Sequence, residues 1–181
     1  MFKLIEPLDS KIVKYIHLHR YKGADDILIW LTEHATFITI STILLLFVVF
    51  FATRKKYYLY LAVNFSFIIS ISALITGLLK ITIKRTRPYH LYHEIISVVE
   101  SGGYSFPSGH TTEVVAFAVA GLIMIKNKFI NFLLILWATF IAYTRMAMGV
   151  HYPFDLLGGI VVGGAVAYLW LRLDPFKKLI K

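Results

Sequence analysis

The sequence contains no cysteine and few charged residues. Without a thiol among its 181 residues, disulfides and thiolate chemistry are excluded. Charged residues make up 16% of the chain and hydrophobic residues 58%, whereas soluble domains carry about 25% charged residues. The mean hydropathy is +0.71. These values indicate a membrane protein, and the length predicts a single domain over residues 1–181.

The charge that is present is mostly positive, with 19 Lys and Arg against 10 Asp and Glu. In a membrane protein such an excess favours contact with anionic lipid headgroups. No aromatic-rich RNA-binding motif and no zinc-ligand spacing is visible. We therefore expect an anionic phospholipid or glycolipid and the membrane itself as partners, and no nucleic acid. The first ten residues also lack the apolar segment of a removable secretory signal.

Long apolar runs predict an all-α polytopic membrane bundle. About 20 residues are needed to cross a hydrocarbon core of about 30 Å. Glu113 is the only charge inside the third of the runs. Five runs therefore predict about five transmembrane helices within residues 34–173, and Gly159 and Gly163 form a small-residue pair suited to close helix packing. The runs are 34–53, 57–79, 109–125, 129–144 and 153–171.

Two segments outside these runs are also predicted to be helical. In residues 1–33 apolar side chains recur at near-helical spacing, which indicates an amphipathic helix with Asp9 or Ser10 as its N-cap and Gly23 at its end. This helix either lies in the membrane interface or packs on the bundle, and the pattern leaves both open. Residues 93–100 are predicted to form a short interfacial helix.

The basic residues suggest an orientation in the membrane. Lys and Arg cluster at 54–56, at 126–128 and in the tail from 172, and the positive-inside rule places such clusters on the cytoplasmic side. Five spans then put the N-terminus outside. Three polar stretches, residues 80–88, 106–110 and 144–155, come to the outer face together. We expect them to form one phosphate site there.

His151 and Asp155 are the first candidates for chemistry. Their spacing brings them close together at the start of the last helix. An aspartate oxygen that accepts from one imidazole nitrogen leaves the other nitrogen free to attack, as in a catalytic triad, and histidine can be a covalent nucleophile. A His–Asp pair that only ties off a helix end is an equally weighted alternative.

The Pro-Ser-Gly-His stretch, residues 107–110, leads directly into the third apolar run. A helix start offers unpaired backbone N–H groups to a phosphate. Gly109 permits close approach, Ser108 can donate its hydroxyl, and His110 can protonate a leaving oxygen. Glu113 either orients His110 or is an acid favoured by the helix dipole. Pro-Ser-Gly is also a common turn and helix start.

Basic side chains complete the expected site. Lys80 and Arg87 suit phosphate oxygens, whereas Lys84 and Arg85 are interpreted as cations that mark the membrane edge. Arg145 ends an apolar run, so it needs an anionic partner, either Asp155 or a bound phosphate.

Together these residues resemble the phosphatidic-acid-phosphatase type 2 superfamily of integral-membrane lipid phosphatases. The motif of Lys, six residues and Arg-Pro matches Lys80, Arg87 and Pro88, and Pro-Ser-Gly-His matches residues 107–110. The third motif, Ser-Arg, five residues, His, three residues and Asp, matches residues 144–155, with Thr144 in place of serine.

The resemblance implies a phosphatase that needs no metal and no cofactor. His151 is then the nucleophile, Asp155 orients it, and His110 is the general acid. The phosphoryl oxygens are held by the remaining motif residues, which are Lys80, Arg87, Ser108, Gly109 and Arg145.

The expected location is a bacterial-type inner membrane, with the active site facing the periplasm or exterior. Lipid A 1-phosphate ranks first as substrate, ahead of phosphatidylglycerophosphate, phosphatidic acid and undecaprenyl diphosphate. A vanadate-dependent haloperoxidase is disfavoured by the apolar runs. A non-catalytic scaffold or transporter is disfavoured by the complete set of motif residues.

Overall fold

The computed structural model describes residues 4–99 and 101–180, and every regular element in them is helical. Four helices are long and apolar enough to cross a membrane, and one shorter apolar helix lies among them. The predicted all-α membrane bundle is thereby confirmed. Seven α-helices are present: α1 Glu6–His19, α2 Asp25–Thr53, α3 Lys56–Ile83, α4 Pro88–Leu91, α5 Gly109–Met124, α6 Lys128–Ala147 and α7 Pro153–Leu173.

The third predicted span is the shortest of the five. Helix α5 has 16 residues, about 24 Å of helix, which is less than a bilayer core. It packs against α7, α6, α3 and α2, and its Val114, Ala116 and Ala120 side chains are fully or almost fully buried. Surrounded in this way, α5 is the central helix of the bundle.

Close packing of α5 against α7 depends on two glycines. A Cβ atom built at Gly159 would lie 3.0 Å from the carbonyl oxygen of Ser108, and one at Gly163 would overlap the carbonyl oxygen of Thr112. The predicted role of this pair in helix packing therefore agrees with the structure. One turn before Gly159, the carbonyl of Asp155 accepts from the N–H of Ser108 at 3.0 Å, so the same contact sets the first turns of both helices side by side.

The basic segments lie at the opposite end of the bundle from this contact. The Tyr57 hydroxyl, at the start of α3, donates to the carbonyl of Met124 at the end of α5, and the Tyr60 hydroxyl donates to Asp174 after α7. The turn after α5 is closed by Asn127, whose side chain caps α6. The loops carrying the Lys and Arg clusters thus share one end.

Three local expectations are wrong. The N-terminal helix begins at Glu6, with Ile5 as N-cap, and ends at His19, whereas Gly23 lies in a following 3-10 turn. Helix α2 starts at Asp25, so the boundary expected between residues 33 and 34 lies inside one long apolar helix. The described residues of 93–100 form no helix, and the short helix lies earlier, at Pro88–Leu91.

Candidate active site

Six of the predicted site residues line one cavity of about 390 Å³. Helix α3 and the segment after it supply Lys80 and Arg87, and the end of α6 supplies Arg145. The first turn of α5 supplies Gly109 and His110, and His151 lies in the loop just before α7. Glu33, Val99, Ser101 and Gly102 complete the lining.

His151 is held between a carboxylate and a guanidinium. Its Nδ1 lies 3.4 Å from both Oδ2 of Asp155 and Oγ of Ser105, while Nε2 lies 3.2 Å from Nη1 of Arg87. The imidazole is buried. Burial lowers the pKa of His151 to about 3, against the opposing effect of Asp155. The ring is therefore neutral at physiological pH.

Asp155 is fully buried at the start of α7 and has four hydrogen-bonding neighbours. Its Oδ1 accepts from Arg85 at 2.7 Å, and its Oδ2 accepts from the Ser105 hydroxyl and from the Tyr152 N–H at 3.0 Å. The second oxygen also faces His151. Of the two partners considered for Arg145, Asp155 is ruled out, because Arg85 forms the ion pair with Asp155.

The three cations of the cavity wall bind the segment just before the Pro-Ser-Gly-His stretch, here called the 101–105 loop. Lys80 donates to the carbonyl of Tyr104 at 2.5 Å. Arg87 donates to the carbonyls of Gly102 and Gly103, and through Nη1 to that of Val150 at 3.0 Å. The cations therefore fix the shape of the cavity as well as its charge.

Arg145 is buried, and one of its three guanidinium nitrogens has no hydrogen-bond partner in the described residues. Nη1 donates to the Thr32 hydroxyl at 2.7 Å and Nη2 to the Ser101 hydroxyl at 3.2 Å. In the described part of the chain its Nε has no hydrogen-bond partner. A buried guanidinium without a carboxylate partner is costly, and because Arg145 lines the cavity, its positive charge suits a bound anion there.

The side chains of Ser108, Thr144 and Glu113 each form a hydrogen bond with another group of the protein. Ser108 is the N-cap of α5, where its Oγ accepts from the N–H and hydroxyl of Thr111. The Thr144 hydroxyl donates to the carbonyl of Ile141 on its own helix. Glu113 accepts from the Thr36 hydroxyl on α2 at 2.6 Å, so its hydrogen bond is not with His110.

A second cavity of about 350 Å³ adjoins the first between α2, α3 and α5. Lys80, Gly109 and His110 line both cavities. The remaining walls come from the membrane-crossing parts of the helices and are mostly apolar. They include Ile69, Ala73, Thr76, Gly77 and Glu113.

Sequence reasoning missed several residues of this site. Arg85, interpreted as a membrane-edge cation, is 8% exposed and bonds Asp155, whereas Lys84 is exposed as expected. Ser105 and Asp9 were also missed, because neither stands in a recognisable motif. Glu33 could have been predicted from the sequence, since an acid inside a long apolar helix is costly unless it faces a polar cavity.

The PAP2 superfamily profile matches residues 59–178 of the chain. Undecaprenyl-diphosphatase BcrC of Bacillus subtilis is 30% identical over 183 aligned positions, covering 96% of this chain and 90% of that protein. A lipid A 1-phosphatase of Rhizobium etli is 37% identical over 98 positions, covering 51% of this chain and 41% of its own length.

The fold agrees with this match. The crystal structure of a transmembrane PAP2-type phosphatidylglycerolphosphate phosphatase from Bacillus subtilis superposes with a TM-score of 0.81 at 21% identity, covering 95% of this chain and 87% of that one. The chain belongs to the PAP2 superfamily. It is an integral-membrane phosphatase.

Proposed function

We propose that the chain hydrolyses a phosphate or diphosphate ester of a membrane lipid through a phosphohistidine at His151. As a PAP2 phosphatase it acts on lipid phosphates or diphosphates. The observation that carries the proposed mechanism is the arrangement around His151, whose Nδ1 faces Asp155 while Nε2 faces the cationic cavity.

The nucleophile in this proposal is Nε2 of His151. With its pKa lowered to about 3 by burial, the imidazole keeps a lone pair at physiological pH. Asp155 accepts from Nδ1–H, which leaves that lone pair on Nε2. Arg87 lies 3.2 Å from Nε2 and so brings a positive charge to the side where the phosphoryl group binds.

Two displacements complete the reaction. First the Nε2–P bond forms as the bond between phosphorus and the leaving oxygen breaks. His110 enters this step as imidazolium, donates a proton to the leaving oxygen and becomes neutral. A water molecule then attacks phosphorus and gives a proton to His110. The N–P bond breaks, inorganic phosphate is released, and His151 is again neutral. No step requires a metal, so none of the proposed roles depends on one.

Charge stabilisation comes from Lys80, Arg87 and Arg145. Phosphoryl transfer is accelerated mainly by cations placed where the equatorial oxygens develop charge. Arg145 lines the cavity, and its guanidinium has no carboxylate partner among the ion pairs of the described residues, so its charge is left to balance a phosphoryl group. Backbone N–H groups at the start of α5, at Gly109 and His110, add the favourable end of a helix dipole, and Ser108 holds that start in place.

For the lipid we propose undecaprenyl diphosphate or a similar isoprenyl diphosphate. A relative matched over 90% of its own length is named an undecaprenyl-diphosphatase. The adjoining cavity is mostly apolar and shares His110 with the phosphate cavity, which suits the hydrocarbon chain of the lipid phosphate that leaves. Lipid A 1-phosphate, ranked first from the sequence, becomes the second candidate because the relative named for it matches about half of the chain.

We further propose a bacterial-type inner membrane with the cavity facing the exterior. The support is the basic loops, which share the end of the bundle opposite the site and are expected on the cytoplasmic side.

A two-part experiment tests the proposal. Purified protein in detergent is given undecaprenyl diphosphate, lipid A and phosphatidylglycerophosphate side by side, and released phosphate is measured. Substrate labelled in its terminal phosphate is then used to trap an acid-labile phosphoprotein. Label should be absent from His151→Ala and present in His93→Ala, an exposed histidine outside the cavity. Retained phosphate release by His151→Ala would remove the nucleophile assignment.

A further inference from the structure

We propose that Asp9 and Arg85 are positioning residues, through which the N-terminal helix α1 orients the Asp155 carboxylate. This inference rests on the proposed function, because it assumes that Asp155 orients the nucleophile. Asp9 lies outside the 59–178 region that matches the PAP2 profile. The inference therefore adds a segment of the chain to the active site.

The negative charge on Asp155 needs a partner inside the protein. Its carboxylate is fully buried, and burying an unpaired charge is strongly unfavourable. In the described residues, Arg85 is the one Lys or Arg within ion-pair distance of it, with Nη1 2.7 Å from Oδ1. Because Oδ1 is held by Arg85, Oδ2 is left to face Nδ1 of His151.

Arg85 is itself held from three sides. Its Nη2 donates to Oδ2 of Asp9 at 2.6 Å, and its Cζ lies 3.9 Å from the centre of the Tyr152 ring. The guanidinium is planar, so fixing Nη2 and the ring face also fixes the direction of Nη1. A lysine could pair with one carboxylate, but it lacks the planar pair of nitrogens that donate to Asp9 and Asp155 together.

Asp9 links this arrangement to the helix that carries Asp155. Its second oxygen, Oδ1, accepts from the N–H of Phe154 at 2.9 Å, in the first turn of α7. An acid at a helix N-terminus satisfies a donor that would otherwise be unpaired and interacts favourably with the dipole. One buried carboxylate on α1 thus holds both the arginine that binds Asp155 and the backbone next to it.

Helix α1 has other contacts that keep it in place if Asp9 is changed. Val13 and His17, one and two turns after Asp9, are also buried, and Nδ1 of His17 lies 2.9 Å from the carbonyl oxygen of Ala147. The isosteric change Asp9→Asn therefore removes the charge from the link while the helix remains docked. Glu6→Gln makes the same charge change on the same helix, at a half-buried side chain that does not line the phosphate cavity, and serves as the matched control.

The test compares these variants in detergent by steady-state kinetics and thermal unfolding. We expect Asp9→Asn to lower kcat by roughly 10–100-fold, as does the loss of other groups that orient active-site side chains without touching the substrate. KM should change little, because Asp9 does not line the phosphate cavity. Arg85→Met should lower kcat further than Asp9→Asn does, whereas Arg85→Lys should keep part of the activity. Glu6→Gln should have the same kcat as the parent protein.

A double variant separates positioning from general stability. If Asp9 acts through Arg85, Asp9→Asn should have no further effect on kcat in the Arg85→Met background. Full additivity, or an Asp9→Asn enzyme within about twofold of Glu6→Gln, would overturn the inference. If Asp9→Asn does not fold, the kcat of Arg85→Lys is the test. A folded Arg85→Lys enzyme with the parental kcat would overturn the inference. Activity in His151→Ala would instead contradict the proposed function.

Discussion

Arg87 places Nη1 3.2 Å from Nε2 of His151 and 3.0 Å from the carbonyl oxygen of Val150. One guanidinium therefore touches the proposed nucleophile and the backbone just before it. Its other nitrogens donate to Gly102 and Gly103 in the 101–105 loop. Arg87 joins the two loops that form the rim of the cavity, in addition to supplying charge.

The first prediction concerns the guanidinium group of Arg87. We expect Arg87→Lys to lower kcat/KM by roughly 100-fold or more, as the loss of a preorganised charge donor does, because an ammonium cannot satisfy three carbonyls in fixed directions. The measurement is lipid phosphate release in detergent. Lys84→Ala, at an exposed cation in the same segment, is the control and should retain activity. A parental rate in Arg87→Lys would show that only charge is needed at this position.

The second prediction concerns the pH dependence of stability. Burial lowers the pKa of His151 to about 3, whereas an unfolded histidine titrates near 6.5. Between these values the unfolded chain binds a proton that the native state does not, so native stability falls as the pH drops below about 6.5. From pH 7 to pH 5 the loss from this residue is roughly 2 kcal/mol.

Thermal unfolding of the parent protein and of His151→Gln at both pH values measures this effect. The glutamine variant should lose less stability on acidification, and the difference between the two proteins is the contribution of His151. An equal loss in both would mean that the native imidazole accepts a proton as readily as the unfolded one.

The third prediction concerns the contact between α5 and α7. Gly163→Ala should destabilise the protein by about 1–3 kcal/mol, because the added methyl group meets the backbone carbonyl of Thr112, which cannot rotate away. Gly164→Ala is the matched control, since a Cβ atom at Gly164 has no heavy atom within 4 Å. Differential scanning fluorimetry in detergent compares the two. Equal melting temperatures would contradict close packing at Gly163.

The fourth prediction concerns inhibitors. Vanadate should compete with the lipid, because it offers tetrahedral oxygens to Lys80, Arg87 and Arg145 and can bond to the nitrogen of His151. EDTA should leave the rate unchanged, because no proposed step uses a metal. Phosphate release is measured with each compound over a range of lipid concentrations. Vanadate inhibition that high lipid does not relieve would argue against a shared site, and loss of activity with EDTA would point to a required metal.

Much of the fold was predictable from residue spacing alone. Uncharged runs of sufficient length must satisfy their backbone groups internally in a bilayer, so they form helices. The third run was the exception, because its helix α5 is the shortest of the five. Its start at the Pro-Ser-Gly turn and the turn that follows Met124 limit α5 to 16 residues, and burial among its neighbours compensates for the shortness.

The site was predictable only in part. The sequence by itself determined which chemical groups are available, namely two histidines, an aspartate and three cations in separate motifs, and that apolar helices would carry them. The tertiary structure decided which groups touch. Arg85 looks like a membrane-edge cation in the sequence, and Asp9 like a helix N-cap. They meet because α1 packs against the start of α7 and the segment that follows α3. Contacts between residues 76 positions apart depend on that packing and not on local pattern.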